Sequence, residues 1–219
     1  MANILLGVTG SVAAIYTPEL FAALAGAGHQ VKVVATKSAL YFFDPAQIAP
    51  REPGRRNQDC VILDEDEWAG RRYQRGDPVL HIELRRWANL LLIAPLDANT
   101  LAKLALGICD NCLTCVYRAW ERTRPVVLAP AMNTLMWEHP ATVRHLSQIA
   151  EDLCGRTVPT LMDPAARLAW INAECPTLTI VPPVIKQLAC DDVGMGGLAE
   201  RTDLLAAVQK AIGGGSAPA

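Results

Sequence analysis

The sequence predicts an α/β fold of three layers, with helices on both faces of a doubly wound parallel sheet. Three observations carry this. Short, unbroken apolar runs of strand length recur at residues 3–8 (NILLGV), 31–35 (VKVVA), 89–94 (NLLLIA) and 125–129 (PVVLA). Strands apolar on both faces belong to parallel sheets covered on both sides. Segments at helical spacing lie between the runs, and a strand–turn–helix–strand rhythm builds such sheets. The chain has 219 residues, 51% of them hydrophobic, enough for one core.

Taken in order, residues 3–8 form a buried strand ending in the tight turn Thr9-Gly10-Ser11. Residues 18–26 follow as a helix, with Pro18 in its first turn and Gly26 and Gly28 at its exit. The strand at 31–35 closes in Thr36-Lys37-Ser38 and leads to a short helical stretch with Tyr41, Phe42 and Phe43. Residues 44–59 read as a polar surface loop, 60–63 as a third strand, and 64–77 as charged and irregular. A short helix at 81–87 precedes the clearest buried strand, 89–94, ended by Pro95. Helices at 99–106 and 111–120, a strand at 125–129 ended by Pro130, and an amphipathic helix at 140–153 come next. A last strand at 178–181 and a closing helix at 202–212 complete a single domain over 1–212. Residues 213–219, rich in Gly, Ser and Pro, read as a disordered tail.

The net charge of -2, with no run of like charges, argues against nucleic acid or an anionic membrane as partner. No apolar run reaches the length of a membrane span. The start, Met1-Ala2-Asn3, has neither a basic n-region nor a cleavage site, so the expectation is a cytoplasmic protein with reduced thiols. Cys109, Cys112 and Cys115 recur every third residue on a segment read as helix, and small core residues explain them better than a metal site lacking a fourth ligand.

In an open parallel sheet, ligands bind beyond the carboxyl ends of the strands. Four such ends carry unusual residues. Gly7-Val8-Thr9-Gly10-Ser11 is either a plain tight turn or a phosphate cradle. Thr36-Lys37-Ser38 is either a helix cap or a polar contact to a ligand. Asp97-Ala98-Asn99-Thr100 either caps the next helix or hydrogen-bonds a bound ring or sugar chain. The fourth end, residues 130–137 (PAMNTLMW), places Asn133 between two Met and a Trp. Together they favour a mononucleotide pocket. NAD is discounted, because G-x-G-x-x-G is absent and no acidic residue ends the second strand. His81 is either structural or catalytic, and Cys190, before a Gly-rich loop, is either inert or part of a cover over a ligand.

The strings GSVAA (10–14), TKS (36–38), DEDEW (64–68), GDPVLHIELRRW (76–87), APLDANTLAKL (94–104), residues 109–120, APAMNTLMW (129–137) and LAC (188–190) resemble those of the homo-oligomeric flavin-containing cysteine decarboxylases. That resemblance implies a Rossmann-like flavoprotein assembled as a trimer or a multiple of trimers. It implies that Ser11, Val12, Ala13, Thr36, Lys37, Ser38, Asp97, Ala98, Asn99, Thr100 and Ala131 hold FMN. It further implies His81 as catalytic base, Cys190 as late proton donor, and Asn133, Ala189 and Leu198 as substrate contacts. The implied reaction is the FMN-dependent decarboxylation of 4'-phosphopantothenoylcysteine to 4'-phosphopantetheine in coenzyme A biosynthesis. It would pass through a thioaldehyde and an enethiolate, an electron sink beside the carboxylate being what makes loss of CO2 feasible. The alternatives are an oxidative decarboxylase of a C-terminal peptidyl cysteine and a non-catalytic flavin-binding regulatory subunit. The chain departs from the family pattern at Gln187, Asp191, Gly197 and Leu198. Residues 154–177 read as an insertion: a surface elaboration, a cover for the substrate tail, or an oligomer contact.

Overall fold

In the computed structural model, which describes residues 1–48, 60–67, 72, 74–187 and 193–214, six strands form one parallel sheet. They are β1 (Asn3–Val8), β2 (Gln30–Ala35), β3 (Val61–Leu63), β4 (Leu90–Leu96), β5 (Val126–Pro130) and β6 (Leu178–Ile180), in the order β3-β2-β1-β4-β5-β6. The helices are α1 (Thr17–Gly26), α2 (Asp64–Glu67), α3 (Leu80–Trp87), α4 (Ala98–Leu106), α5 (Cys112–Arg118), α6 (Thr134–Trp137), α7 (Pro140–Cys154), α8 (Pro164–Glu174) and α9 (Arg201–Gly214).

Alternation along the strands sorts the core into two halves. Leu5, Leu91, Ile93, Val126 and Leu128 face α3, α4, α5, α7 and α8. Ile4, Leu6, Leu90, Leu92 and Val127 face α1 and α9. These ten side chains have no solvent exposure, which accounts for the continuous apolar runs and for the three layers.

Several expectations change at this level. Pro130 closes β5 as expected, whereas Pro95 does not end β4. β4 runs through a cis Ala94–Pro95 bond to Leu96, with its pairing to β5 shifted between Ile93 and Leu96, and Leu96 pairs with Pro130. Pro95 has no N–H to give, but its carbonyl stays in use by accepting the Thr9 N–H. The turn after β1 continues into a 3-10 helix, Val12–Tyr16. The charged stretch after β3 opens as α2, with Asp66 and Glu67 buried. Of the three clustered cysteines only Cys112 is buried; Cys109 is exposed and Cys115 half-buried, so the core explanation holds for one of them. Gly213 and Gly214, expected in a disordered tail, close α9.

The segment 154–177 is not a surface elaboration. It carries α8, started by Asp163, whose carboxylate accepts the Ala166 N–H, and it places Val158, Ile171 and Cys175 in the core. Its Asn172 side chain clamps the edge strand β6, accepting the Ile180 N–H (2.7 Å) and donating to the Ile180 carbonyl (2.9 Å). Beyond β6 the chain forms an antiparallel hairpin that the sequence does not announce, β7 (Val184–Gln187) and β8 (Val193–Gly197), separate from the main sheet.

Candidate active site

The sheet reverses its winding between β1 and β4, and such sheets take ligands in the crevice outside the strand ends there. Thr9 ties the two ends together. Its fully buried hydroxyl donates to the Pro95 carbonyl (2.8 Å) and accepts the Asp97 N–H (2.7 Å). Asp97 then caps α4, accepting the Thr100 N–H at 2.7 Å. Gly10 passes between these groups. A Cβ there would lie 2.6 Å from Ser38 Oγ and 3.2 Å from Asp97 Oδ2, so the β1 loop can cross this gap only without a side chain.

Above the crevice lies a cavity of about 430 Å³, within the usual range for small-ligand sites. Its floor comes from Gly10, Ser11, Val12 and Ala13 after β1 and from Asp97, Ala98 and Asn99 at the start of α4. Ala131, Met132, Asn133 and Met136 form one side, after β5. Lys186, Gly196, Gly197 and Leu198 of the hairpin close another. The hairpin is fastened by main chain: the Met132 N–H donates to the Gly196 carbonyl at 2.9 Å. Asn133 caps α6, its side-chain oxygen accepting the Leu135 N–H at 2.9 Å. Lys186 reaches the Glu200 carboxylate at 2.8 Å.

Of the expected site residues, Ser11, Val12, Ala13, Asp97, Ala98, Asn99, Ala131, Asn133 and Leu198 line this cavity. Thr100 does not; it is buried beneath, held by the Asp97 cap. Thr36, Lys37 and Ser38 stand beside the cavity rather than in its wall. The Thr36 and Ser38 hydroxyls share a hydrogen bond (3.1 Å), and Ser38 borders Gly10. Ala189 and Cys190 lie outside the described residues. Ile15, Tyr16, Phe42 and Lys186 also line the cavity and were not foreseen as site residues. Ile15 and Tyr16 are about half exposed although apolar, a signal that a sequence read as a plain turn conceals.

His81 is on α3 and is not among the cavity's lining residues. Its Nδ1 lies 2.5 Å from Glu67 Oε1, and its backbone N–H donates to Glu67 Oε2 at 3.1 Å. The Glu67 side chain is only 2% exposed. Burial first, then the negative charge of Glu67, drives the pKa of the Cys112 thiol well above that of a free thiol. Asp64, one turn earlier on α2, accepts the backbone N–H of Lys37 (3.3 Å) and of Cys112 (3.2 Å). Burial raises the Asp64 pKa, and those two hydrogen bonds partly offset the rise. The acidic turn thus fastens the loop after β2, the start of α3 and the start of α5 together.

Fold and crevice define a doubly wound α/β protein that holds a mononucleotide-sized ligand at its switch point. Comparison with known proteins narrows the class. The family model described as Flavoprotein matches residues 1–213, and the chain belongs to that family. It is 41% identical to the phosphopantothenoylcysteine decarboxylase of Mus musculus over 211 residues, covering 96% of this chain and 87% of the mouse protein. It is 44% identical to that of Arabidopsis thaliana over 198 residues, covering 90% and 79%. Among solved structures, a PPC decarboxylase mutant complexed with pantothenoylaminoethenethiol superposes with a TM-score of 0.74 at 41% identity, covering 95% of this chain and 96% of the other. The FMN binding protein AtHal3 gives 0.71 at 41%, covering 95% of each.

Proposed function

We propose that this chain is an FMN-dependent carboxy-lyase that converts 4'-phosphopantothenoylcysteine to 4'-phosphopantetheine in coenzyme A biosynthesis, with residues 1–212 as one FMN-binding domain. The observation that carries the reading is the switch-point cavity, lined by the strings that resemble the flavin-containing cysteine decarboxylases. Its residues fit the cofactor. The side-chain-free crossing at Gly10 lets main chain approach a phosphate, and the Ser11 hydroxyl and the first turn of α4 supply polar groups. Ala131, Met132 and Met136 offer an apolar wall for a flat ring. Ser11, Val12, Ala13, Asp97, Ala98, Asn99 and Ala131 would hold FMN directly, with Thr36, Lys37, Ser38 and Thr100 supporting them. FMN, when bound, supplies a reversible two-electron redox change that leaves no net oxidation.

The protein's own work is orientation and proton transfer. Asn133, set by its cap on α6, orients the substrate carboxylate, with Ala189 and Leu198 beside it. His81 takes a proton from the substrate at Nε2, its other ring nitrogen being held by Glu67. Cys190 returns a proton late in the cycle. A homo-oligomer, a trimer or a multiple of trimers, would cover the exposed apolar rim at Val12, Ile15, Tyr16 and Leu135 and bring His81 of another copy to the cavity. The assembly works in the cytoplasm, without membrane or nucleic-acid partners.

Mass spectrometry of the product formed from phosphopantothenoylcysteine tests the reading. The expected product has lost one CO2 and nothing else. Loss of CO2 together with two hydrogens would favour the oxidative decarboxylase instead. A colourless protein that cannot be reconstituted with FMN would remove the flavin reading altogether.

A further inference from the structure

We propose that Glu67 is the positioning residue of His81: it fixes the imidazole as its Nδ1–H tautomer and leaves Nε2 as the proton acceptor. The inference rests on the proposed role of His81 as base. Two nitrogens of one residue meet this one buried carboxylate. Oε2 takes the backbone N–H of His81, and Oε1 meets Nδ1 at 2.5 Å. Gripping the same residue at main chain and at ring fixes the imidazole in position and in rotation. A carboxylate that only accepts leaves Nδ1 to be the donor, so the ring lone pair sits on Nε2. When Nε2 takes a proton, the imidazolium charge rests against the Glu67 carboxylate.

The geometry also states what an amide would do. In a Glu67→Gln variant the single side-chain oxygen is claimed by the His81 backbone N–H, which has no other partner among the described residues. The amide NH2 then faces Nδ1 and donates to it. The ring proton moves to Nε2, and the acceptor is lost while shape and volume stay the same.

The tautomer is read on holoenzyme labelled with 15N-histidine, by long-range proton–nitrogen correlation. The chain has four histidines, and His81→Gln assigns the relevant signal. The expected result is a proton on Nδ1 in the unaltered protein and on Nε2 in Glu67→Gln. For the variant, kcat should fall about 100-fold or more, by analogy with orienting carboxylates elsewhere, with KM within about threefold. Combining Glu67→Gln with His81→Gln should cost no more than His81→Gln alone. An Nε2 proton in the unaltered protein overturns the inference without any variant. So does a Glu67→Gln enzyme with wild-type kcat, or additive losses in the double variant. Wild-type turnover by His81→Gln instead overturns the base assignment beneath it.

Discussion

Replacing Gly196 by alanine should loosen the hairpin without unfolding the sheet. A Cβ at this position would lie 2.1 Å from the Met132 carbonyl oxygen, a main-chain atom that no rotamer change can move. The backbone at Gly196 has φ +154°, which also disfavours a side chain. Relieving the overlap means displacing β8 and breaking the 2.9 Å bond from the Met132 N–H to the Gly196 carbonyl. Overpacking costs about 1–3 kcal/mol and a lost hydrogen bond about 0.5–1.5 kcal/mol, together about 1.5–4.5 kcal/mol. Because β7 and β8 belong to no other sheet, the cost falls on local opening. At about 1.4 kcal/mol per decade, protection of the Met132 amide from hydrogen exchange should drop about 10- to 1600-fold. Amides of β4 should keep their protection. The reasoning is refuted if the Met132 amide exchanges as in the unaltered protein, or if β4 loses protection by the same factor.

Thr9→Val should lower stability by about 1–3 kcal/mol, since it strands the buried Asp97 N–H; thermal unfolding reads this as a fall of several degrees, and an unchanged midpoint would refute the strut. Ile171→Ala, at a site with no solvent exposure, should cost about 2–5 kcal/mol in urea unfolding, whereas a surface elaboration would lose almost nothing. The Cys112 thiol has its pKa raised by burial above the reference 9.0, so its contribution is fully present below pH 9.0 and is lost as pH rises toward the folded value. Above pH 9.0 the unfolded thiol ionises first and binds fewer protons, so stability should fall by about 1.4 kcal/mol per pH unit from this group. Cys112→Val should make that part of a urea-midpoint curve less steep, the remaining slope coming from Cys175, Cys115 and the Tyr117 phenol, whose pKa values burial also raises; an identical slope would refute the assignment.

The sheet was legible because parallel strands buried on both faces are written as continuous apolar runs, as at 3–8 and 89–94. The cavity floor was legible for a related reason: in such a sheet the turn after each strand must face the crevice, so Ser11 and Asp97 could be placed before any coordinates. What escaped depends on tertiary partners. Four successive acidic residues at 64–67 look like solvated surface, and only the neighbouring N–H groups of Lys37, His81 and Cys112 explain why Asp64 and Glu67 turn inward. The hairpin escaped because Gly-rich β8 has almost no apolar alternation; its docking is main chain on main chain. Pro95 misled because a strand end facing a ligand crevice can give up an N–H without loss. The residues 154–177 were opaque because α8 is fully buried only at Ile171, with Cys175 just past its end, too narrow a stripe to stand out in sequence.

The clamp on β6 reaches beyond the single chain. An outermost strand ordinarily offers main-chain groups on which a second molecule can template itself. Here the Leu178 N–H is spent on the Cys175 carbonyl, and both the N–H and the carbonyl of Ile180 are spent on Asn172. Those groups are already engaged within the chain. A second molecule could extend the sheet past β6 only by breaking the bonds made there by Asn172 and Cys175.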